Sequence, residues 1–197
     1  VSRATTWYND TMRDNASRAD NQQERLRLEG WITGFVDGEG CFTISIIRNR
    51  SVTTKQGWQV FPEFVVSQGE KSRAALKKIE NFFRCGYINL NTRRDNHHGQ
   101  MLKYCVRSIH DLNDKIIPFF ERNKLKTHKQ KDFQIFRRII KLMVRRKHLS
   151  EKGLSKITSL IHTMNRRKYA QVLKSSETIR QIRLSGGKDI VRSHGRP

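Results

Sequence analysis

The sequence predicts an α+β fold in the order helix, two strands, helix, two strands, helix (αββαββα), followed by extra C-terminal helices. Three observations predict it. Apolar residues recur at helical spacing around a glycine-rich stretch near residue 30, apolar and polar residues alternate in two later pairs of segments, and helical periodicity returns towards the C-terminus. Each pair of alternating segments indicates a β-hairpin, so the predicted sheet is antiparallel.

The first predicted helix covers residues 26–38 and has two different faces. One face is apolar and is formed by Leu28, Ile32, Phe35 and Val36. The other has a glycine at every fourth position, namely Gly30, Gly34 and Gly38. A glycine in a helix interior costs ~1 kcal/mol relative to alanine, so three of them cost roughly 3 kcal/mol. The close approach of another backbone is the usual reason for such a face, and we therefore expect a partner there.

Two carboxylates, Asp37 and Glu39, lie where this helix ends. Two interpretations of the stretch by itself are open. In one, the glycines only terminate the helix and the acids are solvated or cap it. In the other, closely packed helices deliver the acids to a metal site on a symmetry axis.

The four predicted strands cover residues 41–50, 58–68, 87–93 and 101–107. Inward-facing positions on the first two are Phe42, Ile44, Ile46, Val60, Phe64 and Val66. The candidate outward positions are Thr43, Ser45, Ile47, Asn49, Gln59, Phe61, Glu63, Val65, Ser67, Asn89, Asn91, Arg93, Lys103, Cys105 and Arg107. Arg and Lys pair with guanine, and Asn and Gln with adenine, so this face is a candidate DNA-binding surface. The alternative is an ordinary solvated face of an antiparallel sheet.

Helices are also predicted later in the chain. Residues 71–83, 133–144 and 152–165 have the apolar spacing of amphipathic helices, and another helix begins at Asp111. The predicted organisation is an N-terminal extension at 1–25, a single domain at 26–185 and a basic C-terminal tail at 186–197.

The chain carries a net charge of +22, which predicts a polyanionic partner. Residues 121–197 contain 22 basic and 5 acidic residues, whereas residues 1–25 contain 4 of each. An RNA-coating protein would be equally basic, so charge alone does not choose between partners. Its coincidence with two hairpins and an acidic motif favours double-stranded DNA.

The cysteine spacing and the hydropathy of the chain indicate the kind of cellular compartment in which the protein is expected. Three cysteines, Cys41, Cys85 and Cys105, without Cys-x-x-Cys spacing predict reduced thiols in an intracellular compartment, not a zinc site or a disulfide framework. No run of 18 apolar residues exists, so no membrane partner is expected. The acidic residues within 1–25 are untypical of an organellar transit peptide. An organelle (mitochondrion or chloroplast) and a prokaryotic cytoplasm both remain open.

Residues 32–41, ITGFVDGEGC, have apolar, small, glycine and acidic positions in the register of the LAGLIDADG motif. Together with the order of helices and strands, the motif makes the chain resemble a single-motif LAGLIDADG homing endonuclease over about residues 26–185. Residues 63–68, which end in Gln68, are similar to the second strand of that family. Residues 117–129, which end in Lys129, are similar to its lysine-bearing loop.

The resemblance implies a set of catalytic residues. Glu39 corresponds to the catalytic metal ligand, and the carbonyl of Gly38 is expected beside the metal. Asp37 matches the first acid of the motif, with a role in helix-end capping and interface geometry. Gln68 and Lys129 match the polar residues that order water around the scissile phosphate. The implied metal is Mg²⁺, a hard cation that prefers oxygen ligands, and Mn²⁺ or Ca²⁺ could occupy the same site.

The resemblance also implies an assembly and a reaction. Arg73 is expected to act as the basic residue that follows the glutamine, in contact with DNA. A single motif supplies half of a centre, so a homodimer is implied, with the glycine-bearing helix faces meeting at the axis. Such a dimer would cut both strands of a long pseudo-palindromic site across the minor groove and leave 3′ overhangs. An intron RNA maturase and a non-cleaving DNA-binding protein on the same fold are the alternatives.

Overall fold

The computed structural model describes residues 3–48, 57–91 and 100–164, and it confirms the predicted order of helices and strands. The elements are α1 (Arg3–Glu39), β1 (Gly40–Arg48), β2 (Trp58–Gly69), α2 (Arg73–Phe83), β3 (Tyr87–Asn91), β4 (Met101–Val106), α3 (Ile109–Asp111), α4 (Ile117–Arg122), α5 (Lys129–Val144) and α6 (Glu151–Ile161). A π-helical turn, Leu112–Ile116, joins α3 to α4. Within the described ranges, no helix is both long enough and apolar enough to cross a membrane.

The four strands form one antiparallel sheet in the order β1-β2-β4-β3. Each predicted hairpin is present, and the two hairpins join through β2 and β4. Phe42 pairs with Phe64 between β1 and β2, and Phe64 in turn pairs with Val106 of β4. The central strands are therefore the second strand of each hairpin, and β1 and β3 are the edges.

The helix α1 is longer than predicted. Its backbone is helical from Arg3, so the predicted boundary between an N-terminal extension at 1–25 and the domain falls inside one continuous helix. The polar residues before position 26 gave no apolar period from which this helix could be recognised. The predicted tail at 186–197 lies outside the described residues.

The chain passes from α1 into β1 without a linker. Gly40 is the first residue of β1, and a Cβ atom on it would lie 2.5 Å from Cγ1 and 2.7 Å from the carbonyl oxygen of Val36. Only a residue without a side chain fits at this close approach. The end of the helix is thereby joined rigidly to the start of the sheet.

The core lies between the inner face of the sheet and the helices. Phe42 stacks on Phe64 with ring centroids 5.1 Å apart, and its ring also contacts Phe120, Phe133 and Phe136. These contacts connect β1 and β2 to α4 and α5. The predicted inward positions are confirmed, since Phe42, Val60, Phe64 and Val66 are buried and Ile44 and Ile46 pack against the same cluster. From α1, Ile32 and Val36 are completely buried.

Gly86 lies in the turn between α2 and β3, which leads into the second hairpin, and it provides a test of that turn. Its φ is +77°, and an added Cβ would lie 2.6 Å from the carbonyl oxygen of Cys105. We expect Gly86→Ala to lower the free energy of unfolding by about 2–4 kcal/mol, measured by urea denaturation. Gly69→Ala is the matched control because that glycine has a φ of −59° and open space at the Cβ position. Equal unfolding midpoints for the two variants would contradict the assignment of strain to Gly86.

Candidate functional site

The C-terminal end of α1 and the loop before α5 meet through the carboxylate of Asp37. Its Oδ2 accepts hydrogen bonds from the backbone N–H of Lys126 at 2.7 Å and of Thr127 at 3.1 Å. Its Oδ1 accepts the hydroxyl of Thr127 at 2.6 Å. The expected capping role is thus directed at the loop that leads into α5, and Asp37 fixes that loop to the motif helix.

The pKa of Asp37 reflects these contacts. Partial burial raises it, but the hydrogen bonds from Thr127 and from the backbone of Lys126, together with the charge of Lys129, outweigh burial and lower the pKa below its ordinary value of 3.8. The carboxylate is therefore ionised at neutral pH.

Lys129, the first residue of α5, extends back to the end of α1. Its Nζ donates to the carbonyl oxygen of Gly38 at 2.5 Å and of Val36 at 3.3 Å. The last carbonyls of a helix have no intrahelical partner and attract a cation. Burial lowers the pKa of Lys129, and the nearby carboxylates of Asp37 and Glu39 oppose that change. Three of the four residues predicted to be catalytic, Asp37, Glu39 and Lys129, thus lie at one helix end.

Glu39 is the last residue of α1, and its side chain is exposed. A carboxylate and an adjacent backbone carbonyl are oxygen donors of the kind that Mg²⁺ accepts, and this cation keeps several water ligands. The donor set of Glu39 and Gly38 therefore fits one edge of such an ion, provided that the Lys129 ammonium leaves the Gly38 carbonyl. Among the described residues, no three His, Cys, Asp or Glu side chains come together as a complete metal site.

Gln68 lies at the other border of this site, and Arg73 follows it in the chain. The pairing of Gly40 with Val66 brings the end of β2, where Gln68 is half-buried, beside the end of α1. Arg73 begins α2, and its Nη2 lies 3.4 Å from Glu70 Oε1. The position of Gln68 agrees with a site assembled from the ends of α1 and β2 and the start of α5, whereas the contact of Arg73 with DNA stays a prediction.

The glycine face of α1 is open to solvent in the single chain. Gly30, Gly34 and Gly38 are exposed, and an added Cβ at any of them would meet nothing within 4 Å. The backbone predicted to pack on this face is therefore not supplied by the described part of the same chain.

The outward face of the sheet holds most of the residues expected there. The exposed members are Ser45, Ile47, Phe61, Asn89 and Arg107, and the half-buried members are Thr43, Gln59, Glu63, Ser67 and Lys103. Asn91 is placed opposite Met101 at the end of β3, and Asn49 and Arg93 lie outside the described residues.

Two of the predicted outward residues are buried. Val65 is 8% exposed and Cys105 is 0% exposed. The register aligns Cys41, Val65, Cys105 and Tyr87 in one row across all four strands, so each of the two central side chains is flanked by neighbours on both sides. The expectation that Val65 and Cys105 present surface to DNA is therefore wrong for this chain.

One carboxylate oxygen of Glu63 contacts three other side chains that were predicted to bind DNA. Its Oε1 accepts Nε of Arg107 at 2.7 Å and the thiol of Cys105 at 2.9 Å, and Nζ of Lys103 lies 3.4 Å away. Burial raises the pKa of Glu63, but the bonds from Cys105 and Arg107 outweigh it and the pKa is lowered. Burial and the bond to Glu63 raise the pKa of Cys105 to about 11, so its thiol stays protonated and donates.

Residues 32–140 match the LAGLIDADG endonuclease family. The chain belongs to this family. It is 38% identical to a homing endonuclease of known crystal structure, I-TnaI, across 77% of this chain and 97% of that chain, with a TM-score of 0.66. It is 30% identical to the meganuclease I-SmaMI, crystallised with uncleaveable DNA, across 70% of this chain and 45% of that one, with a TM-score of 0.64.

Relatives of this LAGLIDADG chain are also known from fungi. A protein of Neurospora crassa described as probable intron-encoded endonuclease 2 is 40% identical over 129 residues, which are 64% of this chain and 27% of that protein. A second Neurospora protein, probable intron-encoded endonuclease 3, is 34% identical over 142 residues. The chain spans about a quarter of the length of these two curated relatives.

Sequence reasoning missed one residue that helps to hold this LAGLIDADG site together. Glu29 is only 9% exposed, and its carboxylate accepts Nδ2 of Asn123 at 3.1 Å and Nε of Arg25 at 3.2 Å. It ties α1 to the end of α4, where the loop towards Lys129 begins. Its spacing of three and seven residues from Ile32 and Val36 assigns it to the buried helix face, and that spacing was the available signal.

The contacts of Asp37 predict a pH-dependent stability. Because its pKa is lowered on folding, its contribution is fully present above about pH 5 and is lost as the pH falls through the folded pKa. We expect Asp37→Asn to lower the free energy of unfolding by about 1–2 kcal/mol at pH 7, and by much less near pH 3. Urea denaturation across this range measures the difference. Asp20→Asn, an exposed position on α1, serves as the control. A difference that is constant with pH would contradict the role of the ionised carboxylate.

Proposed function

We propose that this chain is a site-specific homing endonuclease that acts as a homodimer and makes a metal-dependent double-strand cut with 3′ overhangs in a long pseudo-palindromic DNA site. The observation that supports this most strongly is the juxtaposition of Glu39 and Lys129 at the end of α1, directly before the first strand of the sheet. An acid, a cation and a base-reading surface are what site-specific hydrolysis of a phosphodiester requires.

In this proposal Glu39 would hold Mg²⁺, and the Gly38 carbonyl would be a further oxygen donor once it is free of Lys129. The ion would supply activation of the attacking water and neutralisation of the leaving oxygen. Lys129 stabilises the negative charge that develops on the scissile phosphate, and Gln68 orders water beside it. Asp37 keeps the loop before Lys129 at the end of α1, so the ammonium stays close to the site after it leaves the Gly38 carbonyl.

The glycine face of α1 supports the homodimer. Gly30, Gly34 and Gly38 leave the helix backbone accessible, so a second copy of the helix can approach it closely. One chain contributes one Glu39, and a two-fold axis through this face would bring a second one beside it. The dimer thereby supplies a carboxylate for each DNA strand.

The outward sheet face and the net charge support DNA as the partner. The similar proteins I-SmaMI and I-LtrWI have both been crystallised with DNA. We propose the same binding mode for this chain, with the exposed outward residues reading bases and the basic C-terminal half contacting phosphates. The Neurospora relatives are described as intron-encoded, and one of Podospora anserina as a protein in ND4 intron 1. We therefore propose an intron-encoded protein that acts in an organelle.

Cleavage of DNA from the allele that lacks the intron tests the reaction. We expect discrete double-strand cuts with Mg²⁺, no cuts with EDTA, and a rate at least about a hundredfold lower for Glu39→Gln, because that amide does not supply the charged ligand. Glu24→Gln, exposed on the same helix, should cut like the unmodified protein. Specific binding without cuts across Mg²⁺, Mn²⁺ and Ca²⁺ would reject the endonuclease, and Glu39-independent stimulation of splicing would identify a maturase.

The dimer has a separate test. We expect Gly34→Leu to convert a dimer into a monomer at about 10 µM, measured as the mass in analytical ultracentrifugation. The substitution fills open space in the single chain and improves helix propensity, so the fold should persist by circular dichroism. Lys152→Leu, exposed on α6, adds the same side chain elsewhere and should leave the mass unchanged. A monomer for the unmodified protein, with and without DNA, would reject the proposal.

A further inference from the structure

Glu63 lies on the outward face of the sheet, between two of the cations predicted to contact DNA. Phe64 pairs with Val106, so the next opposed pair in the same antiparallel register is Glu63 and Arg107. The Glu63 carboxylate contacts Arg107 through two nitrogen atoms, with Nε at 2.7 Å and Nη2 at 2.6 Å from Oε1. Because two nitrogen atoms of the same guanidinium converge on this oxygen, the contact restricts the orientation of the guanidinium relative to β2.

The contacts leave part of the Arg107 guanidinium available. Arginine has five N–H donors, and Glu63 uses the Nε–H and one N–H of Nη2. Three donors remain, on Nη1 and Nη2, along the edge that makes bidentate contacts with guanine O6 and N7. The Arg107 side chain is 54% exposed, whereas that of Glu63 is 21% exposed. The cation thus extends into solvent above a mostly covered carboxylate.

Two further side chains of β4 contact the Glu63 carboxylate. The buried thiol of Cys105 donates to the same Oε1 at 2.9 Å, and Lys103 Nζ approaches it at 3.4 Å. A carboxylate can read cytosine by accepting its N4–H, but the Oε1 of Glu63 already has these donors, and an ionised carboxylate near DNA is repelled by phosphates. These contacts favour Glu63 as a support for Arg107 over Glu63 as a base-reading residue.

We propose that Glu63 is a positioning residue that orients Arg107 to read a guanine, and that Glu63 therefore sets base preference at one position of each half-site. The inference depends on the proposed binding of DNA by the sheet. Charge-assisted bonds that fix the guanidinium before DNA arrives reduce the ordering that binding requires. Cys105, which is buried and cannot reach DNA, contributes through Glu63.

The test is a selection from a pool of duplexes with about 22 randomised base pairs, compared between variants; the length allows for two half-sites about one helical turn apart. We expect the unmodified protein to prefer G·C at one position per half-site, and Arg107→Ala to lose that preference. Glu63→Ala should reduce it about tenfold, because a freely rotating guanidinium discriminates less, and Glu63→Gln should reduce it by less, because its amide oxygen still accepts a weaker bond from Arg107. Affinity for an unrelated duplex should stay equal or rise, since a negative charge is removed. Glu121→Gln, which removes a carboxylate that pairs with Arg137 and Lys141 among the helices, is the matched control.

A double variant that combines Glu63→Ala with Arg107→Ala shows whether Glu63 orients Arg107 or contacts a base directly. If Glu63 acts through Arg107, the Glu63→Ala substitution causes no further change in base preference at that position. A cytosine preference that depends on Glu63 in the Arg107→Ala background would overturn the inference, as would an unchanged guanine preference in Glu63→Ala. If the unmodified protein enriches no duplex, the proposed DNA recognition fails and the inference fails with it. The Nε–H resonance of Arg107 in the free protein gives an independent readout, since it should be protected from exchange in the unmodified chain and exposed in Glu63→Ala.

Discussion

The direct passage from α1 into β1 is the constraint on which the candidate site depends. The backbone of Gly40 lies in close contact with Val36, so the last helical turn and the first strand residue form one rigid unit. Glu39 is located at this junction, and its distance from the sheet is therefore set by backbone geometry. A longer connection would let the acid move independently of the surface that is proposed to hold DNA. Burial of Ile32, Val36 and Phe42 on either side of the junction maintains it.

Three carboxylates have different roles in this very basic chain because their surroundings differ. Asp37 is satisfied by the N–H groups and the hydroxyl of a loop, and it acts as a structural tether. Glu63 is satisfied by a thiol and two cations on the sheet face. Glu39 is exposed at the helix end, which leaves its charge accessible to a cation. The chemistry of each acid thus follows from the donors that its position in the fold supplies.

The sequence was sufficient to predict the strands and the residues that meet at the end of α1. Alternation identified the inward residues Phe42 and Phe64, and the motif with its later lysine identified Glu39 and Lys129, which the fold brings together across 90 positions. A period of two assigns a residue to a face but not to a depth. It therefore could not distinguish Cys105, covered by its neighbours, from Arg107 two positions later. The weak periodicity before residue 26 left a helical arm and a flexible lead both open, and the buried contact of Glu29 with Asn123 could not be predicted because it depends on long-range packing.

The order of strands has a consequence for how recognition can change. The central strands β2 and β4 hold the inner packing and the Glu63 cluster, and each is bonded on two sides. The edge strands β1 and β3 are bonded on one side, and their outward residues, such as Ser45 and Asn89, are exposed. Substitutions at the edges therefore disturb few neighbours, whereas substitutions at the centre alter packing as well as contacts. On the surface proposed to hold DNA, new contacts are therefore simplest to introduce at the edge strands, and the central strands resist redesign.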